Sequence, residues 1–124
     1  MEESFRPFGT QIATQGRDIL LPAELSFDMG LVLHELATNS VKYGSLGQDD
    51  GMIRVSWSRV PRGGDVHLFR YVWDDPMSRV TEASAKNGFG SKLLQALIET
   101  KWNGTVTVQT EPNFRIMLEI PVPD

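Results

Sequence analysis

Between Pro22 and Tyr43 the chain carries one long helical period, and this stretch limits the choice of fold more than any other. Leu25, Met29, Val32, Leu33 and Leu36 recur at spacings of four, three, one and three. That rhythm sets them along one side of an α-helix. Pro22 suits the first turn, where a missing N–H is harmless, and Gly44 is a natural left-handed stop. Glu35, Asn39 and Lys42 lie on another side. At about 100° per residue, Asn39 falls about 40° round from Glu35, and Lys42 about 20° the other way. A carboxylate, a carboxamide and an ammonium therefore share a stripe. One face can pack on a core, while the other offers an acceptor, a neutral oxygen ligand and a cation to something charged.

The rest of the chain must supply the partner for that apolar face. Gln11 to Thr14 and Asp18 to Leu21 are short apolar runs around Gln15-Gly16-Arg17, a pattern that predicts a small hairpin. Ile53, Val55 and Trp57 alternate with Arg54, Ser56 and Ser58, which predicts a strand over Met52 to Arg59 with one wet face. Pro61-Arg62-Gly63-Gly64 turns the chain into a second strand, Val66 to Trp73. Asp74 to Asn87 has no period and reads as a loop. Ser91 to about Lys101 reads as a second helix with Leu93, Leu94, Leu97 and Ile98 inward. Asn103-Gly104 is a turn between it and two more strands, Thr105 to Thr110 and Phe114 to Ile120. Pro121 and Pro123 then close the domain. Helices covering one face of a mostly antiparallel sheet make a two-layer α+β sandwich, and 124 residues are enough for a single domain spanning 1–124.

Totals exclude some chemistry. A net charge of −4 argues against sequence-independent nucleic-acid binding, which needs a basic face. It leaves room for a nucleotide, which needs only a local positive site. The absence of cysteine removes disulfides, thiolate chemistry and cysteine-ligated zinc. With only two histidines, a dedicated zinc centre is not expected. No apolar run approaches the roughly 18 residues of a membrane span, and Met-Glu-Glu-Ser-Phe-Arg lacks the regions of a signal peptide. The expectation is a cytoplasmic chain without direct membrane contact.

Three places could hold chemistry. Asn39 offers a neutral oxygen to magnesium, which keeps several waters and takes one or two protein groups beside substrate phosphates. Glu35, one turn back, could hold a metal-bound water or take a proton, and Lys42 could meet phosphate as a point charge. A solvated helix face with a chance charge pair is the simpler account of the same spacing. Asn87-Gly88-Phe89-Gly90-Ser91-Lys92 is a glycine-rich loop entering a helix, where free N–H groups and a partial positive charge suit an anion. It is equally a loop with an N-cap. At Trp73-Asp74-Asp75, a strand-end carboxylate could accept a hydrogen bond from an exocyclic amine such as that of adenine, although a polar turn is the commoner use of Asp. His34 stands beside Glu35 as a site residue or a capped core histidine. His67 reads as a partly buried sheet residue.

In this order the pieces resemble the ATP-binding catalytic domain of sensor histidine kinases, the GHKL or Bergerat fold, and more narrowly the HWE histidine kinases. The likeness rests on an N box, His34-Glu35-Leu36-Ala37-Thr38-Asn39-Ser40-Val41-Lys42-Tyr43-Gly44, and on a second glycine box, Gly88-Phe89-Gly90-Ser91-Lys92-Leu93-Leu94. It covers nearly the whole chain from about Gly16. The resemblance implies catalytic roles for Glu35 and His34, with His34, Lys42 and Tyr43 around the phosphates or ribose. Asn39 would be the magnesium ligand. Gly88, Phe89, Gly90 and Ser91 would form the flap over the phosphates, and Asp75 the adenine-contacting acid. Where the family writes Trp-x-Glu, this chain has Trp73-Asp74-Asp75, and Pro76-Met77-Ser78-Arg79 stands in place of a Gly-Gly-Pro stretch.

The implied function is transfer of the ATP γ-phosphoryl group to a histidine on a separate dimerisation domain, with a response regulator downstream. ATP and Mg2+ are the implied cofactors. Neither His34 nor His67 suits the acceptor role, so the isolated domain is expected to be monomeric and not itself phosphorylated. The altered glycine box motivates a second reading, a docking module on the same fold that no longer binds nucleotide. A third is an anti-sigma-factor serine kinase.

Overall fold

Strand β1 (Ile12–Gln15), helix α1 (Ala23–Tyr43), strands β2 (Ile53–Gly63) and β3 (Val66–Asp75), helix α2 (91–101), and strands β4 (Thr105–Gln109) and β5 (Phe114–Pro123) follow one another in that order. They are seen in a computed structural model, which describes residues 12–17, 19–47, 51–64, 66–76, 91–110 and 113–123. The strands form one sheet in the order β1-β2-β3-β5-β4. Every neighbouring pair is antiparallel except β1 and β2.

That exception corrects the expected hairpin around Gln15-Gly16-Arg17. Ile12 pairs with Ile53 and Gln15 with Ser56 in parallel register, and residues 19–22 are not in a strand. Parallel neighbours need a long crossover, and α1 provides it. Gly16 is required for a different reason from a turn. A methyl group there would overlap the Trp57 ring, whose Nε1–H donates to the Arg17 carbonyl at 2.7 Å.

Helix α1 starts after Pro22, whose carbonyl accepts the Ser26 N–H at 3.0 Å. Glu24 in the first turn and Lys42 in the last complement the helix dipole. The predicted apolar stripe is the buried one: Leu25, Met29, Val32, Leu33 and Leu36, joined by Ala37. Burying each such large side chain is worth roughly 2 kcal/mol. Their partners are alternate residues of the sheet, namely Ile53 and Val55, Phe69, Tyr71 and Trp73, and the even positions Phe114 to Val122. Leu94 and Ile98 of α2 complete the same cluster. On the opposite face of the sheet, Arg70 grips Glu119 directly across the strands at 2.8 and 3.0 Å. The expected two-layer α+β sandwich is the observed fold.

Strand β2 runs on past Arg59 through Pro61 to Gly63, where a turn is expected, because Val60 and Pro61 still pair with Leu68 and His67. Further boundaries differ from the sequence reading. Asp74 and Asp75 belong to β3, not to the following loop, because they continue its pairing with Arg115 and Phe114. Strand β5 runs on through Pro121 to Pro123, opposite Leu68 and Val66. It can do so because β4 begins opposite Glu119, so a nitrogen without hydrogen loses no partner beyond that point. Helix α2 is α-helical only over Ser91–Leu94 and is π-wound over Gln95–Lys101. The Trp102 N–H reaches back to the Leu97 carbonyl at 3.1 Å. Asn103 then takes a left-handed conformation with φ 57°, which Asn tolerates better than most residues.

Candidate functional site

The C-terminal half of α1 meets the end of β3. Strand alternation carries Asp75 to the helix side of the sheet, together with Tyr71 and Trp73, and leaves it only 2% exposed. A buried carboxylate needs donors, and α1 with the turn after it supplies three. The Ser40 hydroxyl donates to Oδ2 at 2.7 Å. The Ser45 N–H donates to Oδ1 at 2.9 Å, and the Ser45 hydroxyl donates to the same oxygen.

Gly44 lies between those serines and is not the left-handed stop that its position suggests. Its φ of −143° and ψ of −152° are extended, and its N–H bonds the Ser40 carbonyl at 2.8 Å. The requirement for glycine is closeness. A Cβ at this position would overlap the Asp75 carboxylate. A glycine that reads as a helix stop thus serves to admit an acid from a distant strand.

Asn39, next to Ser40, is 7% exposed, and its Nδ2 has no hydrogen-bond partner among the described residues. Such an unmet buried donor costs about 1–3 kcal/mol. It fits a site whose acceptor is brought in by a ligand. Glu35 is half-buried one turn back, and His34 and Lys42 are exposed. His34 is therefore not a core histidine, and its carbonyl accepts the Thr38 hydroxyl at 2.8 Å. His67 is a half-buried residue of β3, as the alternation predicts. Tyr43 ends α1 and Ser91 opens α2. The glycine-loop residues Gly88, Phe89 and Gly90 lie outside the described residues.

The structure thus joins Asp75 to the helix of Glu35, Asn39 and Lys42. The residues that join them, Ser40, Gly44 and Ser45, were missed as functional in the sequence. Their only signal was two hydroxyls flanking the end of a helix, 30 and 35 residues from the acid they hold.

No cluster of three or more His, Cys, Asp or Glu suited to a metal occurs among the described residues. A magnesium ion held by one amide oxygen and by phosphates needs none. Asn39 is suited to this task, since its oxygen can address a hard cation while its unmatched nitrogen addresses a phosphate oxygen.

The other end of α1 carries a second polar cluster. Asp28 is 3% exposed. It accepts the Trp102 Nε1–H at 2.7 Å and pairs with Lys101 at 2.8 Å. Lys101 also reaches Glu24 at 2.8 Å and stands over the Trp102 ring at 5.8 Å. Burial favours the neutral acid, but the hydrogen bonds from Lys101 and Trp102 and the lysine charge outweigh it, holding Asp28 below the usual carboxylate range. Hydrogen bonds to Asp28 and Glu24 raise Lys101 above the usual lysine value. No helix among the described residues is long and apolar enough to cross a membrane.

No family model matches the chain. Individual proteins do. A blue-light-activated histidine kinase of Brucella anthropi is 31% identical over 107 residues, covering 86% of this chain and 21% of its own length. Blue-light-activated histidine kinase 1 of Erythrobacter litoralis is 38% identical over 94 residues, covering 73% of this chain and 25% of its own length. The chain thus spans about a fifth to a quarter of these relatives. Among solved structures, the blue-light-activated histidine kinase EL346 of Erythrobacter litoralis superposes with a TM-score of 0.74 at 17% identity, over 97% of this chain and 38% of that one. The catalytic domain of histidine kinase ThkA superposes with a TM-score of 0.68 at 17% identity, over 97% of this chain and 83% of that one.

Proposed function

We propose, on the premise that this chain belongs to the histidine kinase family and has the fold of its catalytic domains, that it binds ATP with magnesium and delivers the γ-phosphoryl group to a histidine on a separate dimerisation domain. A response regulator would take the group onward. One observation carries this reading. A buried amide whose nitrogen has no hydrogen-bond partner among the described residues, Asn39, sits beside the serine that holds a buried strand-end acid, Asp75. Groups suited to a polyphosphate and to a base amine are thereby tied together, one carried by α1 and the other by β3.

In this reading Asp75 accepts the adenine amine. Asn39 directs its oxygen to the metal and its nitrogen to phosphate. Lys42, with His34 and Tyr43, meets the phosphates or ribose, and Gly88, Phe89, Gly90 and Ser91 close over them. Glu35 orients or takes the proton at the transfer centre. Magnesium, when bound, neutralises charge on the phosphate oxygens. Phosphoryl transfer depends mainly on such positioning and charge stabilisation.

The deciding experiment is calorimetric titration of the chain with ATP, with and without magnesium. Saturable, magnesium-dependent binding without phosphohistidine on the chain itself is the expected result. No binding at millimolar ATP would favour the docking module instead.

A further inference from the structure

We propose that Ser40 and Ser45 are positioning residues for base selection, fixing the Asp75 carboxylate so that a purine carrying a 6-amine is preferred to one without it. The proposal rests on the nucleotide reading above and concerns the serines, not the acid.

A free Asp carboxylate turns broadly about its last bond. Here both oxygens are held, Oδ2 by Ser40 and Oδ1 by the Ser45 N–H and hydroxyl. These donors span α1 and the turn after it, so they fix the carboxylate plane relative to the helix that carries Asn39. The carboxylate occupies the space that a side chain at position 44 would need, so Gly44 is what lets it sit there. Asp75 is 2% exposed, Ser40 2% and Ser45 0%, so water does not substitute for a lost hydroxyl without rearrangement.

A carboxylate has about four acceptor directions. Among the described residues three donors take such directions, and a carboxylate held in this way fixes the line on which a further donor can approach. A base placing N–H on that line gains a charge-assisted hydrogen bond. A base placing only C–H there leaves a buried acceptor direction unmet, and sites of this kind discriminate strongly. If both hydroxyls are removed, only the Ser45 N–H still holds the carboxylate, its plane is less firmly set, and the amine meets a poorer acceptor.

The test compares ATP with purine riboside triphosphate, which lacks the 6-amine, both with magnesium, on the 124-residue chain and on Ser40→Ala, Ser45→Ala and the double variant. The wild-type chain is expected to prefer ATP. In the double variant ATP affinity should fall roughly tenfold while the amine-free nucleotide holds its affinity, so the preference collapses. Each single variant should lie between. Equal weakening of both nucleotides would indicate general damage and overturn the proposal, as would a preference that survives in the double variant. A wild-type chain that binds neither nucleotide would remove the reading beneath it as well, a result distinct from wild-type binding with an unaltered ratio.

Discussion

The two ends of helix α1 both bury an acid, but they complete its environment differently. At the N-terminal end, Asp28 is enclosed by Trp102 and Lys101, and the cluster closes on itself. At the C-terminal end, Asp75 is gripped by Ser40 and Ser45, yet the neighbouring Asn39 keeps an amide nitrogen unmet. Both ends bury polar groups at a desolvation cost. Among the described residues only the first recovers that cost. A polar cluster that holds a fold together satisfies its members, whereas one that awaits a ligand leaves a member open.

The contrast can be broken most decisively at Asn39. Asn39→Ala should weaken magnesium-dependent ATP binding by roughly a hundredfold in calorimetry, about 2.7 kcal/mol, while thermal stability stays level or rises because an unmet buried amide is removed. A loss of both would place Asn39 with the structural cluster. Asp28→Ala should do the reverse. It leaves the Trp102 N–H without its acceptor and should lower unfolding stability by about 2 kcal/mol in a denaturant titration, with nucleotide affinity unchanged.

Tyr71 sharpens the comparison from a third direction. Its hydroxyl is also buried without a hydrogen-bond partner among the described residues, and burial pushes the phenol well above its usual pKa. It sits among Phe69 and Trp57 in the core, 6.2 and 6.5 Å between ring centroids. An open polar atom in an apolar setting is strain, not a site. Tyr71→Phe should therefore be neutral or stabilising by up to about 1 kcal/mol, with ATP binding intact.

The smallest effect is in pH. Because the folded Asp28 titrates below the unfolded acid, its contribution is present above the ordinary Asp value and is lost as pH falls through the lowered one. Thermal melts should decline in that acid range, and less steeply in Asp28→Asn. Lys101 contributes with the opposite sign. Its share is present below the ordinary lysine value and is lost as pH rises through the raised one.

Much of this was legible in the residues themselves. The apolar stripe of α1 and the alternation in β2 are local periods, and local periods survive into the fold. The parallel partner of β1 was not legible, because four short residues carry no mark of strand direction. The role of Gly44 was hidden for a related reason. A helix-ending glycine is needed for conformation or for closeness, and only the arrival of Asp75 from β3 decides which. The π-winding of α2 over Gln95–Lys101 has no counterpart in its apolar spacing, which reads as an ordinary helix. The polar stripe at Glu35, Asn39 and Lys42 could be placed on a helix from spacing alone, but spacing could not tell which of the three would be buried.

The two prolines at the end of β5 have a further effect. Beyond the start of β4, which lies opposite Glu119, β5 presents a short strip of strand border, and Pro121 and Pro123 carry no N–H with which another chain could pair. Such a border discourages stray sheets from growing onto it.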